Sequence, residues 1–183
     1  MPHFLFLNAS TREPGQTGNT ETLARHAAQA LPADTEQTWL RLADLELPPF
    51  VDRRHTTGTY PMPDGDLKTL LDATLAASDL VFVSPVYWFS IPSPIKAYLD
   101  HWSGWLRVPG LDFKAKMAGK SLWIVTTSGD LAKAQPMFDS YHLCADFLGL
   151  RWRGTLWGKG GAPDAVLADT AACESATRFF AGD

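Results

Sequence analysis

Three short runs in this chain contain only apolar residues: Phe4-Leu5-Phe6-Leu7, Leu80-Val81-Phe82-Val83 and Leu122-Trp123-Ile124-Val125. A strand with one wet face alternates polar and apolar positions, whereas a strand covered on both faces has no polar position. Between the runs the apolar period becomes helical. Leu23, Ala24, Ala27 and Leu31 share a face over residues 19–31, and Leu67, Leu70, Leu71 and Leu75 share one over 67–77. Ser93 as cap and Pro94 at the first helical position predict a third helix, with Ile95, Tyr98, Leu99 and Trp102 inward. Pro136 opens a fourth, with Met137, Tyr141, Cys144 and Leu148 on one stripe and Gly149 at its end. A last helix is predicted over 169–180. Such alternation predicts parallel βαβ units with right-handed crossovers. Two further strands, near 38–42 and 151–157, carry Arg41 and the pair Arg151 and Arg153, which places them at the edges. The expectation is an α/β domain over 1–183, with a five-stranded parallel sheet in the order 2-1-3-4-5. Ligands bind such sheets beyond the carboxyl ends of the strands, where the order reverses between strands one and three.

Composition removes several classes of function. The formal net charge is −4, so no basic field exists to hold nucleic acid. The two cysteines, Cys144 and Cys173, form no CxxC and cannot build an iron–sulfur or four-cysteine zinc site. Cysteine this sparse fits a reducing compartment, and a cytoplasmic location is expected. No apolar run approaches the roughly 20 residues of a membrane span. The five histidines show neither HxH nor HExxH spacing, so no metal is expected.

The candidate chemistry lies in the strand-end loops. After strand one, residues 8–20 read NASTREPGQTGNT and run straight into a helix. A helix start offers unpaired N–H groups and a positive dipole end, so hydroxyls beside it can cradle a phosphate, although Ser, Thr, Asn and Gly are also ordinary loop and capping residues. The loop contains neither GxxxxGK[ST] nor GxGxxG, which disfavours nucleoside triphosphate hydrolysis and a dinucleotide fingerprint. Strand three leads into Ser84-Pro85-Val86-Tyr87-Trp88-Phe89-Ser90-Ile91-Pro92. Three consecutive aromatics in a connecting loop fit a planar ligand, packing beneath the loop, or a subunit interface. The turn Ser128-Gly129-Asp130 follows strand four at the same edge; Gly129 permits close backbone approach to a ligand, and a simple Ser-Gly-Asp turn reads equally well.

The pattern Pro85-x-Tyr87-x-x-Ser90-x-Pro92, followed by Ile95-Lys96 and Asp100, resembles the NAD(P)H-dependent FMN reductases and their flavodoxin-like quinone reductase relatives. Ser10-x-Arg12 with Gly18-Asn19-Thr20 is similar to their flavin phosphate loop. The likeness keeps the same order from about residue 3 to residue 180. Asn8 departs from it, since family members often have glycine there. The resemblance implies a flavodoxin-like three-layer fold that binds FMN. The phosphate would lie near Ser10, Arg12, Gly18, Asn19 and Thr20. The ring would lie against Pro85, Val86, Tyr87, Trp88 and Phe89, with Ser128, Gly129 and Asp130 along its other side.

The implied activity is hydride transfer from NADPH or NADH through FMN to a quinone, a free flavin or another small two-electron acceptor. No catalytic side chain is named, because the cofactor carries the chemistry. The alternative is a flavodoxin-type carrier that binds FMN without turning over a nicotinamide. A receiver-type signalling domain needs acidic residues where this chain has Asn8 and Pro85, and GxSxG hydrolase chemistry has no motif here. Lys96 and Asp100 read as a helix-surface ion pair, and Arg53 and Arg54 as a solvated basic pair or a contact for a 2′-phosphate. Trp102, Trp105, Leu106, Val108, Leu111 and Phe113 form a cluster too apolar to leave exposed. It predicts a homodimer or dimer of dimers, or else a segment folded over its own domain.

Overall fold

The computed structural model describes residues 1–181. Its strands are β1 (His3–Asn8), β2 (Glu36–Arg41), β3 (Asp79–Val83), β4 (Ser121–Ser128) and β5 (Arg151–Lys159). They form one parallel sheet in the order β2-β1-β3-β4-β5. The helices are α1 (Asn19–Ala28), α2 (Gly65–Ala76), α3 (Ser93–Trp105), α4 (Phe113–Met117), α5 (Gln135–Leu148) and α6 (Thr170–Phe179). No helix among the described residues is long and apolar enough to cross a membrane.

The unbroken apolar runs are the three central strands, and alternate residues serve two separate cores. Leu5 pairs with Leu80 and Leu80 with Leu122, so these side chains share one face with Leu7, Phe82 and Ile124. That face is covered by α2, α3, α4 and α5. Phe4, Phe6, Val81, Val83, Trp123 and Val125 point the other way, against α1, α6 and Phe180. Alanines on those two helices (Ala24 and Ala27, Ala172 and Ala176) are buried against this second face. At the edge, Trp39 of β2 stacks on Phe6 with ring centroids 4.0 Å apart, and the Arg25 guanidinium lies over the same indole.

Several expectations shift in detail. Helix α3 begins at Ser93 itself, with Pro92 in the capping position and no side-chain cap. Helix α1 stops at Ala28 rather than Leu31. Helix α4 carries no period readable from the sequence, because five residues are barely one turn. Trp102, Trp105, Val108, Leu111 and Phe113 are buried in the chain's own core, and Leu106 is half-buried. The segment after α3 folds over its own domain, and that burial accounts for most of this cluster. Lys96 and Asp100 do pair across one helical turn at 2.5 Å.

Candidate functional site

At the carboxyl ends of β1, β3, β4 and β5 the loops enclose a cleft of about 390 Å³. Its lining includes Ser10, Arg12, Gly18, Asn19, Thr20, Pro85, Val86, Tyr87, Ser128 and Gly129, together with Glu21, Thr127, Gly160 and Gly161. Two of the three predicted loops therefore meet through most of their named residues, and the third through Ser128 and Gly129. The lining excludes Trp88, Phe89 and Asp130.

The phosphate-loop half is built around the start of α1. Gly18 is its N-cap and supplies no side-chain cap. The first helical bond runs from Thr22 N to Gly18 O, which leaves the amides of Asn19, Thr20 and Glu21 without an intrahelical acceptor. A Cβ on Gly18 would sit 3.0 Å from Arg12 Nε and 3.9 Å from Ser10 Oγ, so glycine lets the guanidinium lie against the helix start. Asn8 shapes the loop from below: its carboxamide oxygen accepts from Ser10 N at 3.0 Å. Its Nδ2 donates to Glu21 at 2.8 Å. Arg25 grips the same carboxylate at 2.7 Å, so the one acidic group in the lining is already paired. Free amides, a hydroxyl and a guanidinium make this half a fit for a phosphate.

Two predicted phosphate contacts have other engagements. The Asn19 side chain donates to Gly161 O and Ala162 O and accepts from Val166 N, tying the loop after β5 to α1. Only its backbone amide remains for an anion. The Thr20 hydroxyl pairs with Thr127 Oγ1 at 2.7 Å, joining α1 to β4.

The other half is lined by Pro85, Val86 and Tyr87 on one side and by Thr127, Ser128, Gly129, Gly160 and Gly161 on the other. Buried hydroxyls beneath it anchor the end of β3: Ser84 Oγ bonds Tyr141 OH at 2.8 Å, and Thr126 Oγ1 donates to Ser84 O at 2.5 Å. Burial raises the Tyr141 pKa far above the ordinary phenol range, so the group stays neutral and acts through hydrogen bonding alone. Beyond Pro85 the chain turns sharply. Ser90 N donates to Tyr87 O, and the two central residues, Trp88 and Phe89, have φ of 50° and 62°. That tight turn takes both side chains out of the cleft, leaving Trp88 91% and Phe89 52% exposed. Exposure removes packing beneath the loop as their explanation. Tyr87 stays in the lining and reaches Thr11 Oγ1 across the mouth at 3.4 Å.

On the far wall, Trp157 Nε1 donates to Ser128 Oγ, which donates in turn to Asp130 O. The Asp130 carboxylate accepts from Ala132 N and caps the turn Leu131–Ala134, which is why it stands outside the lining. Gly160 and Gly161 were missed because a glycine pair reads as a plain turn. The rule that ligands gather at strand carboxyl ends would have found them once β5 was placed.

Fold and cleft together define a flavodoxin-like protein whose cleft joins a helix-start anion cradle to the loops after β3 and β4. The chain belongs to the family described as having a flavodoxin-like fold, whose model matches residues 2–177. It is 30% identical over 177 residues, 95% of this chain and 94% of its relative, to the Bacillus subtilis (strain 168) protein named "Putative NAD(P)H-dependent FMN-containing oxidoreductase YwqN". It is also 30% identical, over 70% of this chain and 66% of the relative, to an FMN-dependent NADH:quinone oxidoreductase of Kineococcus radiotolerans. Among solved structures, the Trp repressor binding protein from Bacillus subtilis superposes with a TM-score of 0.73 at 26% identity, covering 97% of each chain.

Proposed function

We propose that this protein is an NAD(P)H-dependent FMN oxidoreductase that passes two electrons to a quinone or a similar small acceptor. When bound in the cleft, FMN would supply two-electron redox chemistry between a nicotinamide and the acceptor. The observation that carries this reading is one cleft joining the uncapped start of α1, beside Ser10 and Arg12, to a slot bounded by Pro85, Val86, Tyr87 and Gly129. The chain's own part is to bind and to orient. Ser10, Arg12 and the free amides hold the phosphate. Backbone amides of the turn at 128–129 are the groups available to stabilise negative charge on the ring. Trp88 and Phe89 offer aromatic faces to planar substrates just outside the cleft. Both curated relatives above are named for FMN and a nicotinamide, and one of them for a quinone.

The test is spectroscopic. The protein should take up one FMN per chain, and riboflavin, lacking the phosphate, should bind far more weakly. Arg12→Ala should weaken FMN binding by about 1.5–3 kcal/mol, the range for a hydrogen bond to a charged group. Equal affinity for FMN and riboflavin would remove the role given to Ser10 and Arg12. Under anaerobic conditions NADPH or NADH should bleach the flavin bands, and a benzoquinone should restore them. Failure of both nicotinamides to bleach them would make the protein a carrier instead.

A further inference from the structure

The opposite end of the sheet holds a second depression, of about 730 Å³, where β3, β4 and β5 begin. Three cationic side chains line it, Lys120, Arg151 and Arg153, against one carboxylate, Asp79. This concentration stands out in a chain whose formal net charge is −4. The carboxylate forms no ion pair with either arginine: its oxygens accept from Ser78 Oγ at 2.7 Å and Trp123 Nε1 at 2.8 Å, and its charge bears on Lys120. Lys120 has a structural task, since its ammonium donates to Leu75 O and Ala77 O and so caps the end of α2.

The arginines differ. Arg151 Nε donates to Gly119 O at 2.7 Å, and Arg153 Nε donates to Ser121 Oγ at 3.2 Å. Each guanidinium is thus fixed through one nitrogen, while its terminal N–H groups meet no acceptor among the described residues. Arg153 also lies over the Trp123 ring at 5.8 Å. The backbone is irregular at this point. Trp152 pairs with Leu122 and Gly154 with Trp123, so Arg153 is the extra residue of a bulge. Bulges re-aim a side chain. An edge strand kept from aggregating needs only charge; it does not need two guanidiniums pinned beside one depression.

We propose that this end of the sheet is a second anion site, binding a phosphate-bearing small molecule between Arg151 and Arg153. Their terminal N–H pairs match the oxygens of a phosphate in the bidentate manner that arginine favours. The site is separate from the cleft at the other end of the strands, and it does not rest on the flavin reading.

The experiment is calorimetric titration of FMN-saturated protein with inorganic pyrophosphate and, separately, with ADP. Binding to the wild type should weaken about tenfold or more in Arg151→Gln/Arg153→Gln. Arg153→Lys, which keeps the charge but loses the fork, should fall between, and it serves should the double variant fold poorly. ADP tighter than pyrophosphate would identify a nucleotide as the phosphate source; equal affinity would identify free phosphate. No binding to the wild type, or equal binding to the double variant, would overturn the proposal.

Discussion

Trp88 and Phe89 hold adjacent left-handed conformations that bulky L-residues avoid, at a cost of roughly 1–2 kcal/mol each. A tight turn with positive φ at both central positions is the setting where Asn-Gly is favoured. Both side chains are largely exposed, so packing offsets little of the strain. Trp88→Asn combined with Phe89→Gly should therefore raise the stability measured by urea unfolding, by about 1–3 kcal/mol. FMN affinity should barely move, since neither side chain lines the cleft, while quinone turnover should drop. A double variant no more stable than the wild type would show that the turn is not strained. The sequence made the aromatic run visible but not its conformation, because no glycine or asparagine marks the turn. Asn19 teaches the converse: its position at a helix start was legible, but its ties to Gly161 O, Ala162 O and Val166 N depend on a loop 142 residues away.

At the scale of elements, the central strands were readable because full burial on both faces leaves an unmistakable apolar run, and the edge strands because they carry arginine. Short pieces escaped: α4 and the turn Leu131–Ala134 span too few residues to show a period. The end of β5 escaped as a site element, although it is tightly specified. A Cβ on Gly158 would meet Val166 Cγ2 at 2.7 Å and Leu23 Cδ2 at 3.0 Å, both on buried residues. Gly158→Ala should cost about 1–3 kcal/mol by overpacking, and unaltered thermal stability would refute that contact. Asp169 secures the same junction, accepting from Lys159 N at 2.9 Å and from Ala172 N at 3.1 Å as the cap of α6. Those two backbone hydrogen bonds lower its pKa below the ordinary 3.8. A carboxylate depressed on folding contributes stability that is fully present above its unfolded pKa and is lost as pH falls through the lower, folded value. Asp169→Ala should cost about 1 kcal/mol at neutral pH. The gap between variant and wild type should close as the pH falls below 3.8. A gap independent of pH would assign the loss to something other than the carboxylate.

For the whole molecule, the question of assembly turns on the apolar surface left exposed where Trp102 and Leu106 of the α3 segment meet α5. Leu143 and Phe147 lie one turn apart on α5 and are 70% and 59% exposed. Between them and α3 runs an apolar groove of about 240 Å³, lined by Leu99, Trp102, Leu106, Cys144 and Leu148. Single exposed leucines need no explanation, but two large side chains bordering a continuous apolar groove form a patch of the kind that marks an interface. A two-fold axis beside α5 would set the ridge of Leu143 and Phe147 from one copy against the groove of the other, and the same contact would repeat in reverse. Burying both side chains recovers about 1.5–3 kcal/mol each, enough to matter for association but not for folding. Light scattering at micromolar concentration should therefore give twice 20.1 kDa for the wild type. Leu143→Glu with Phe147→Glu should give 20.1 kDa with an unchanged circular dichroism spectrum, because neither side chain belongs to the buried core. A wild-type mass of 20.1 kDa would refute the dimer, and a dimer that survives both substitutions would place its interface elsewhere.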